Sequence, residues 1–153
     1  MAERVSASIT IGGRVTADEF TELSQFIVAE GLTIEWDGDD FEPSQRIIGQ
    51  PLRLCAHEVA WGRFEELEAW CALKGVPFAR WSGGYPSQWS AHRAVFTGAG
   101  VPKSYLVDEE DYTLIGRDML RTLGTFEAVI VYFDEADMPI PPLIVEGDTD
   151  GIA

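Results

Sequence analysis

The residues with the sharpest chemical possibilities are Cys55, His57, Cys71 and His92, the ligand types of a structural zinc site. Zinc ribbons and fingers bring such ligands in close pairs, whereas here only Cys55 and His57 are near each other, so the spacing argues against a metal site. The same four residues could pair a thiol with an imidazole base, but no glycine-rich elbow or helix start abuts either cysteine to raise its thiolate fraction. Cys71 falls on an apolar stripe with Phe64 and Leu67, where a free cysteine behaves as a small core hydrophobe. His57-Glu58 does not begin a metalloprotease helix, because Trp61 occupies the position that needs the second histidine.

Gly12-Gly13-Arg14 sits where a phosphate loop would lie but matches neither glycine-rich fingerprint, and a tight turn explains it. Asp37, Asp39, Asp40 and Glu42 could offer oxygens to calcium, yet Phe41 interrupts the alternation and no glutamate stands at position twelve. Carboxylates are so common here that any pair of them loses its value as a marker of acid–base catalysis. The sequence therefore specifies no catalytic residue, no metal site and no cofactor.

Two further features could make contacts. Acidic residues cluster at Asp37–Glu42, at Asp108, Glu109, Glu110 and Asp111, at Asp134, Glu135 and Asp137, and in a tail from about residue 146 that is expected to be loose. Residues 1–50 hold 10 acids and 3 bases, residues 51–100 hold 4 and 5, and residues 101–153 hold 12 and 3, so the acidity lies at the two ends of the chain. The neutral middle carries Trp81-Ser82-Gly83-Gly84-Tyr85-Pro86-Ser87-Gln88-Trp89, a loop by its glycine, proline and serine. Its aromatics Trp81, Tyr85 and Trp89 are of the type that anchors interfaces, or else they fold back into the core.

The elements that position these residues follow from periodicity. Val5, Ala7, Ile9 and Ile11 alternate with polar residues as a half-buried strand. Thr16 and Glu19 form a capping-box signature ahead of Phe20, Leu23 and Ile27 at helical spacing, and Gly31 stops that helix. Leu32–Trp36 reads as a strand. The arrangement recurs with Leu52, Leu54 and Ala56 as a strand, Phe64, Leu67, Trp70 and Cys71 as a helix face ended by Gly75, and residues 76–81 as a strand, which suggests a duplicated strand–helix–strand unit.

Residues 94–97 and 104–107 read as strands joined by a glycine turn. Tyr112, Ile115, Met119 and Leu123 fit a helix whose first turn would hold Asp108–Asp111 and whose end is Gly124. Residues 126–133 are rich in β-branched and aromatic types and read as a strand, with a helix as the alternative. Residues 143–145 follow as an edge strand. The expected fold is α+β, with sheet covered by about three helices in one compact domain over residues 1–153.

With 46% hydrophobic and 11% aromatic residues the chain can build a packed core, so its net charge of -15 lies on the surface. Such a surface repels nucleic acid and anionic membrane, because both select cations. Two cysteines and no apolar leader suggest a cytoplasmic protein with reduced thiols. The expected function is a non-catalytic binding protein whose carboxylates engage a basic partner, such as the cationic groove of a nuclease or another nucleic-acid-handling protein. Anti-CRISPR and antirestriction proteins and nuclease immunity proteins work in that way, and the chain shares only size and charge with them. The alternatives are a small enzyme or ligand-binding domain with a pocket, and a homo-oligomeric scaffold joined through the aromatic loop; acidity that serves solubility alone fits the composition equally.

Overall fold

The computed structural model describes residues 3–148 and has an α+β fold. Five antiparallel strands form the main sheet in the order β3-β1-β4-β5-β6: β1 is Arg4–Ile11, β3 Leu52–Ala60, β4 Phe78–Ser82, β5 His92–Phe96 and β6 Lys103–Leu106. Both β3 and β4 pair antiparallel with β1. They therefore run parallel to each other, and the helix between them, α2 (Glu65–Lys74), is a crossover with β1 inserted in the middle of its unit.

Alternation decides the faces. The register places Ile9 beside Leu54 and Arg80, and Ile11 beside Leu52 and Phe78, which in turn lies beside Phe96. This face packs against α1 (Ala17–Ala29) and α2, which contribute Leu23, Ile27, Leu67, Trp70 and Cys71 to one core, joined by Phe64 at the N-cap of α2. Thr16 and Glu19 cap α1 reciprocally, as the capping-box signature requires. Gly75, at φ 71°, ends α2 in the left-handed conformation that glycine adopts without steric cost.

The opposite face carries a smaller cluster in which Val95 and Tyr105 meet Ala79, Tyr132, Ala136 and Met138. Tyr132 and Ala136 belong to α4 (Phe126–Ala136), which follows the short helix α3 (Arg117–Leu123). A separate ribbon pairs β2 (Gly13–Val15) in parallel with β7 (Leu143–Val145). Gly12 has to be glycine, since a Cβ there would lie 1.8 Å from the Pro141 carbonyl oxygen.

Four expectations are corrected. Leu32–Trp36 is not a strand: only Thr33 bridges Cys55, and a turn closes immediately where Gly38 N–H donates to the Glu35 carbonyl at 2.9 Å. The two units are not equivalent, because α1 leads into β3, the antiparallel neighbour of β1, whereas α2 joins parallel strands; Leu23 and Leu67 are nevertheless both fully buried. Residues 126–133 are helical, since the Thr125 side chain caps Ala128 N–H and the inward residues recur at helical spacing. Asp108–Asp111 is a turn and not a helix start: the Asp108 carboxylate accepts from Glu110 and Tyr112 N–H, both at 2.9 Å, and the helix begins at Arg117. Of the acidic tail, Asp148 is held by Arg46 at 2.5 and 3.2 Å, and residues from 149 onward lie outside the described residues.

Candidate functional site at the aromatic end of the sheet

The loop between β4 and β5 is built by its own sequence. Pro86 and the left-handed Ser87 (φ 65°) occupy the centre of a turn in which Gln88 N–H donates to the Tyr85 carbonyl at 2.9 Å. The turn brings Tyr85 over Trp89, with ring centroids 5.2 Å apart and planes 26° from parallel, and Trp89 lies 6.0 Å from Trp61. Trp61 is itself left-handed, at φ 58°, and exposed. Two indole donors fix the loop: Trp89 Nε1 donates to the Gly83 carbonyl at 3.2 Å and Trp81 Nε1 to the Asp108 carbonyl at 3.1 Å. Gly84 N–H donates to Glu109 Oε2 at 2.9 Å. Trp81 and Trp89 thus stay half-buried rather than entering the core.

Beside this stack the pairing of β1 with β3 is irregular between Val5 and Ala7. His57 and Glu58 together face Ser6, and Glu58 takes φ 54°. Ser6 Oγ lies 2.9 Å from His57 Nδ1, the Trp36 ring is 4.8 Å from the imidazole, and Asp37 Oδ2 is 3.5 Å from Nε2. Arg4, Ser6, His57, Trp81, Tyr85 and Glu109 line a hollow of about 610 Å³. A hydrogen bond to Glu3 pushes the Tyr85 phenol pKa up. Glu58, Trp61 and Ser87, together with Asp37 at φ 59°, are four of the five non-glycine residues with positive φ among the described residues, and strain of this kind concentrates where side chains must be aimed.

Ser6, His57 and Asp37 are the residue types of a hydrolase triad, but the arrangement lacks the other half of that chemistry. Gly83 N–H is spent on the Ser6 carbonyl and Gly84 N–H on Glu109, so neither serves as an oxyanion donor. Asp37 is 84% exposed and too distant to fix the imidazole. The hollow instead offers a cation the half-buried rings of Trp81 and Tyr85 with the carboxylates Glu58 and Glu109, which outnumber the one lining arginine, Arg4.

The other expected site residues disperse. Asp39, Asp40 and Glu42 are exposed on a loop anchored by the buried Phe41, and Glu110 is exposed on its turn. Asp111 and Asp137 face inward to neutralise Arg93: its Nε donates to Asp111 Oδ1 at 2.9 Å, its Nη1 to Asp137 Oδ1 at 3.0 Å and to the Ala136 carbonyl at 2.7 Å. Burial holds the Asp111 pKa up against the opposing pull of Arg93. Asp134 and Glu135 border a separate apolar groove of about 540 Å³ with Val95, Val101, Val131 and Met138.

Among the described residues no three His, Cys, Asp or Glu side chains converge to hold a metal. Cys71 is sealed in the core, where burial pushes its thiol up to about 12. His92 accepts from Arg80 at 3.0 Å. No helix among the described residues is long and apolar enough to cross a membrane.

Sequence reasoning did not assign Ser6, Trp36 and Trp61 to this site or foresee that Arg80 and Arg93 are buried. The signal for the arginines was present, since each interrupts an apolar strand pattern, and a mid-strand arginine calls for carboxylates. No protein-family model, curated protein or solved structure matches the chain.

Proposed function

We propose that the protein is a non-catalytic binding protein that engages a basic partner at the aromatic end of its sheet. The observation that supports this reading is the Trp61–Trp89–Tyr85 stack with Glu109 and Glu58 bordering it, an aromatic and acidic surface suited to Arg and Lys side chains. A nuclease or other nucleic-acid-handling protein with a cationic groove has the matching chemistry, and inhibition by occupancy of that groove follows from it.

The test is titration with an oligo-arginine peptide, read by tryptophan fluorescence at several salt concentrations. Trp89→Ala combined with Tyr85→Ala should weaken binding by about tenfold or more, which corresponds to ~1.4 kcal/mol. Glu109→Gln should lower affinity less and flatten the salt dependence. Parent and variants binding alike, or a parent that ignores the peptide, would sink the reading.

A further inference from the structure

Residues 112–133 are the part of the chain least covered by its own fold. The helix α3 buries no side chain, and α4 buries only Ala136 fully. Left in solvent are Leu114, Met119, Leu120, Phe126, Ile130 and Val131, at 40, 41, 47, 75, 43 and 54% exposure. Soluble monomers rarely leave an apolar helical hairpin of this kind uncovered. The hairpin is also electrically distinct: α3 and α4 hold Arg117 and Arg121 against Asp118, Glu127, Asp134 and Glu135, a net charge of -2 within a chain of net charge -15.

These two properties select the occupant. Both signs stand on this face, cations on α3 and carboxylates on α4, so a second copy can offer each its opposite and meets less repulsion here than elsewhere on the chain. We propose that the α3–α4 hairpin is a dimer interface that receives the same hairpin of a second copy, independently of the aromatic end. Fully exposed side chains of this size present on the order of 200 Å² each, so the five on α3 and α4 bring roughly 500 Å² per copy before rim contacts. Rim contacts bring the total towards the ~800 Å² per partner of a stable interface. Two-fold packing of two hairpins makes a four-helix arrangement in which Arg117 and Arg121 of one copy can meet the carboxylates Glu127, Asp134 and Glu135 carried by α4 of the other.

The experiment is sedimentation equilibrium and light scattering of the full chain across about 1 to 100 µM, the range in which a micromolar constant shows. The parent should dimerise, and Leu120→Glu combined with Ile130→Glu should leave a monomer whose circular dichroism matches the parent. Phe126→Ser, at a side chain too exposed to be core, should weaken the dimer by about tenfold or more. Reversal of Arg117 and Arg121 to glutamate should weaken it, and adding Glu127→Arg and Glu135→Arg should restore it. A parent that stays monomeric at the highest concentration overturns the proposal and leaves this face to a different protein. A Leu120→Glu, Ile130→Glu variant that remains folded and dimeric overturns it as well.

Discussion

The two helix pairs α1–α2 and α3–α4 place apolar residues at similar spacing and meet opposite fates. Phe20, Leu23 and Ile27 on α1, and Leu67, Trp70 and Cys71 on α2, pack on the sheet, whereas α3 buries none of its side chains. The difference lies in what ties each pair down. A crossover from β3 to β4 lays α2 over β1, and polar atoms then tie α2 to α1: Glu30 accepts from Leu67 N–H at 3.1 Å, and Glu22 from Trp70 Nε1 at 2.9 Å. Glu68 grips Arg80 of the sheet at 2.9 and 3.2 Å. The hairpin of α3 and α4 reaches the sheet through α4 alone, by Tyr132, Ala136 and the bond from Arg93 to the Ala136 carbonyl. Amphipathic spacing therefore states that a face will be covered, while topology decides whether the chain covers it itself.

The comparison breaks most sharply at Glu68. Arg80 is buried, its guanidinium otherwise has only Ser82 at 2.7 Å and His92 at 3.0 Å, and burial of an uncompensated charge is costly. Glu68→Leu should therefore cost about 3 to 5 kcal/mol in urea unfolding. A loss below about 1 kcal/mol, the range of exposed pairs, would mean that Arg80 escapes to water and that α2 is held less firmly than the geometry implies.

Core truncation gives the next contrast. Leu67→Ala opens a cavity beneath α2 and should cost about 2 to 5 kcal/mol, whereas Leu120→Ala, measured on dilute protein, should stay within about 0.5 kcal/mol. Comparable losses at the two leucines would show that α3 packs on the domain after all. If the loss at Leu120 grows with protein concentration, the second copy supplies the missing cover.

The sheet and the first two helices were legible because alternation, the capping box at Thr16 and the stop at Gly75 are local signals that the tertiary structure obeys. Residues 126–133 were misread because Val129, Ile130 and Val131 carry strand propensity, while the cap at Thr125 and the burial of Tyr132 and Ala136 decide for helix. The acidic clusters were read as outward binding surface, but carboxylate function depends on cations far away in the chain. Asp111 and Asp137 serve Arg93, and Asp148 serves Arg46, pairings separated by 18, 44 and 102 positions. Of the aromatic loop, the residue types were legible and the geometry was not, because Trp61 and His57 join it through strand pairing and an irregularity between β1 and β3.

The smallest expected effect lies at His92, on the interior side of the comparison, against the arginine that ties α2 to the sheet. His92 accepts a hydrogen bond from Arg80 Nη1, and burial together with that cation holds its pKa below the ordinary imidazole value, with a backbone hydrogen bond at Ser90 and then Glu68 pulling the other way. The folded state thus prefers neutral His92, and the unfolded chain is the one that takes up the extra proton. The contribution is fully present above the unfolded pKa of about 6.5 and is lost as pH falls from there through the folded value. Unfolding midpoints measured between about pH 5 and 7.5 should fall towards acid in the parent and fall less in His92→Gln, whose amide oxygen can still accept from Arg80. Parallel profiles for the parent and His92→Gln would place the proton elsewhere and leave Arg80 balanced by Glu68 alone.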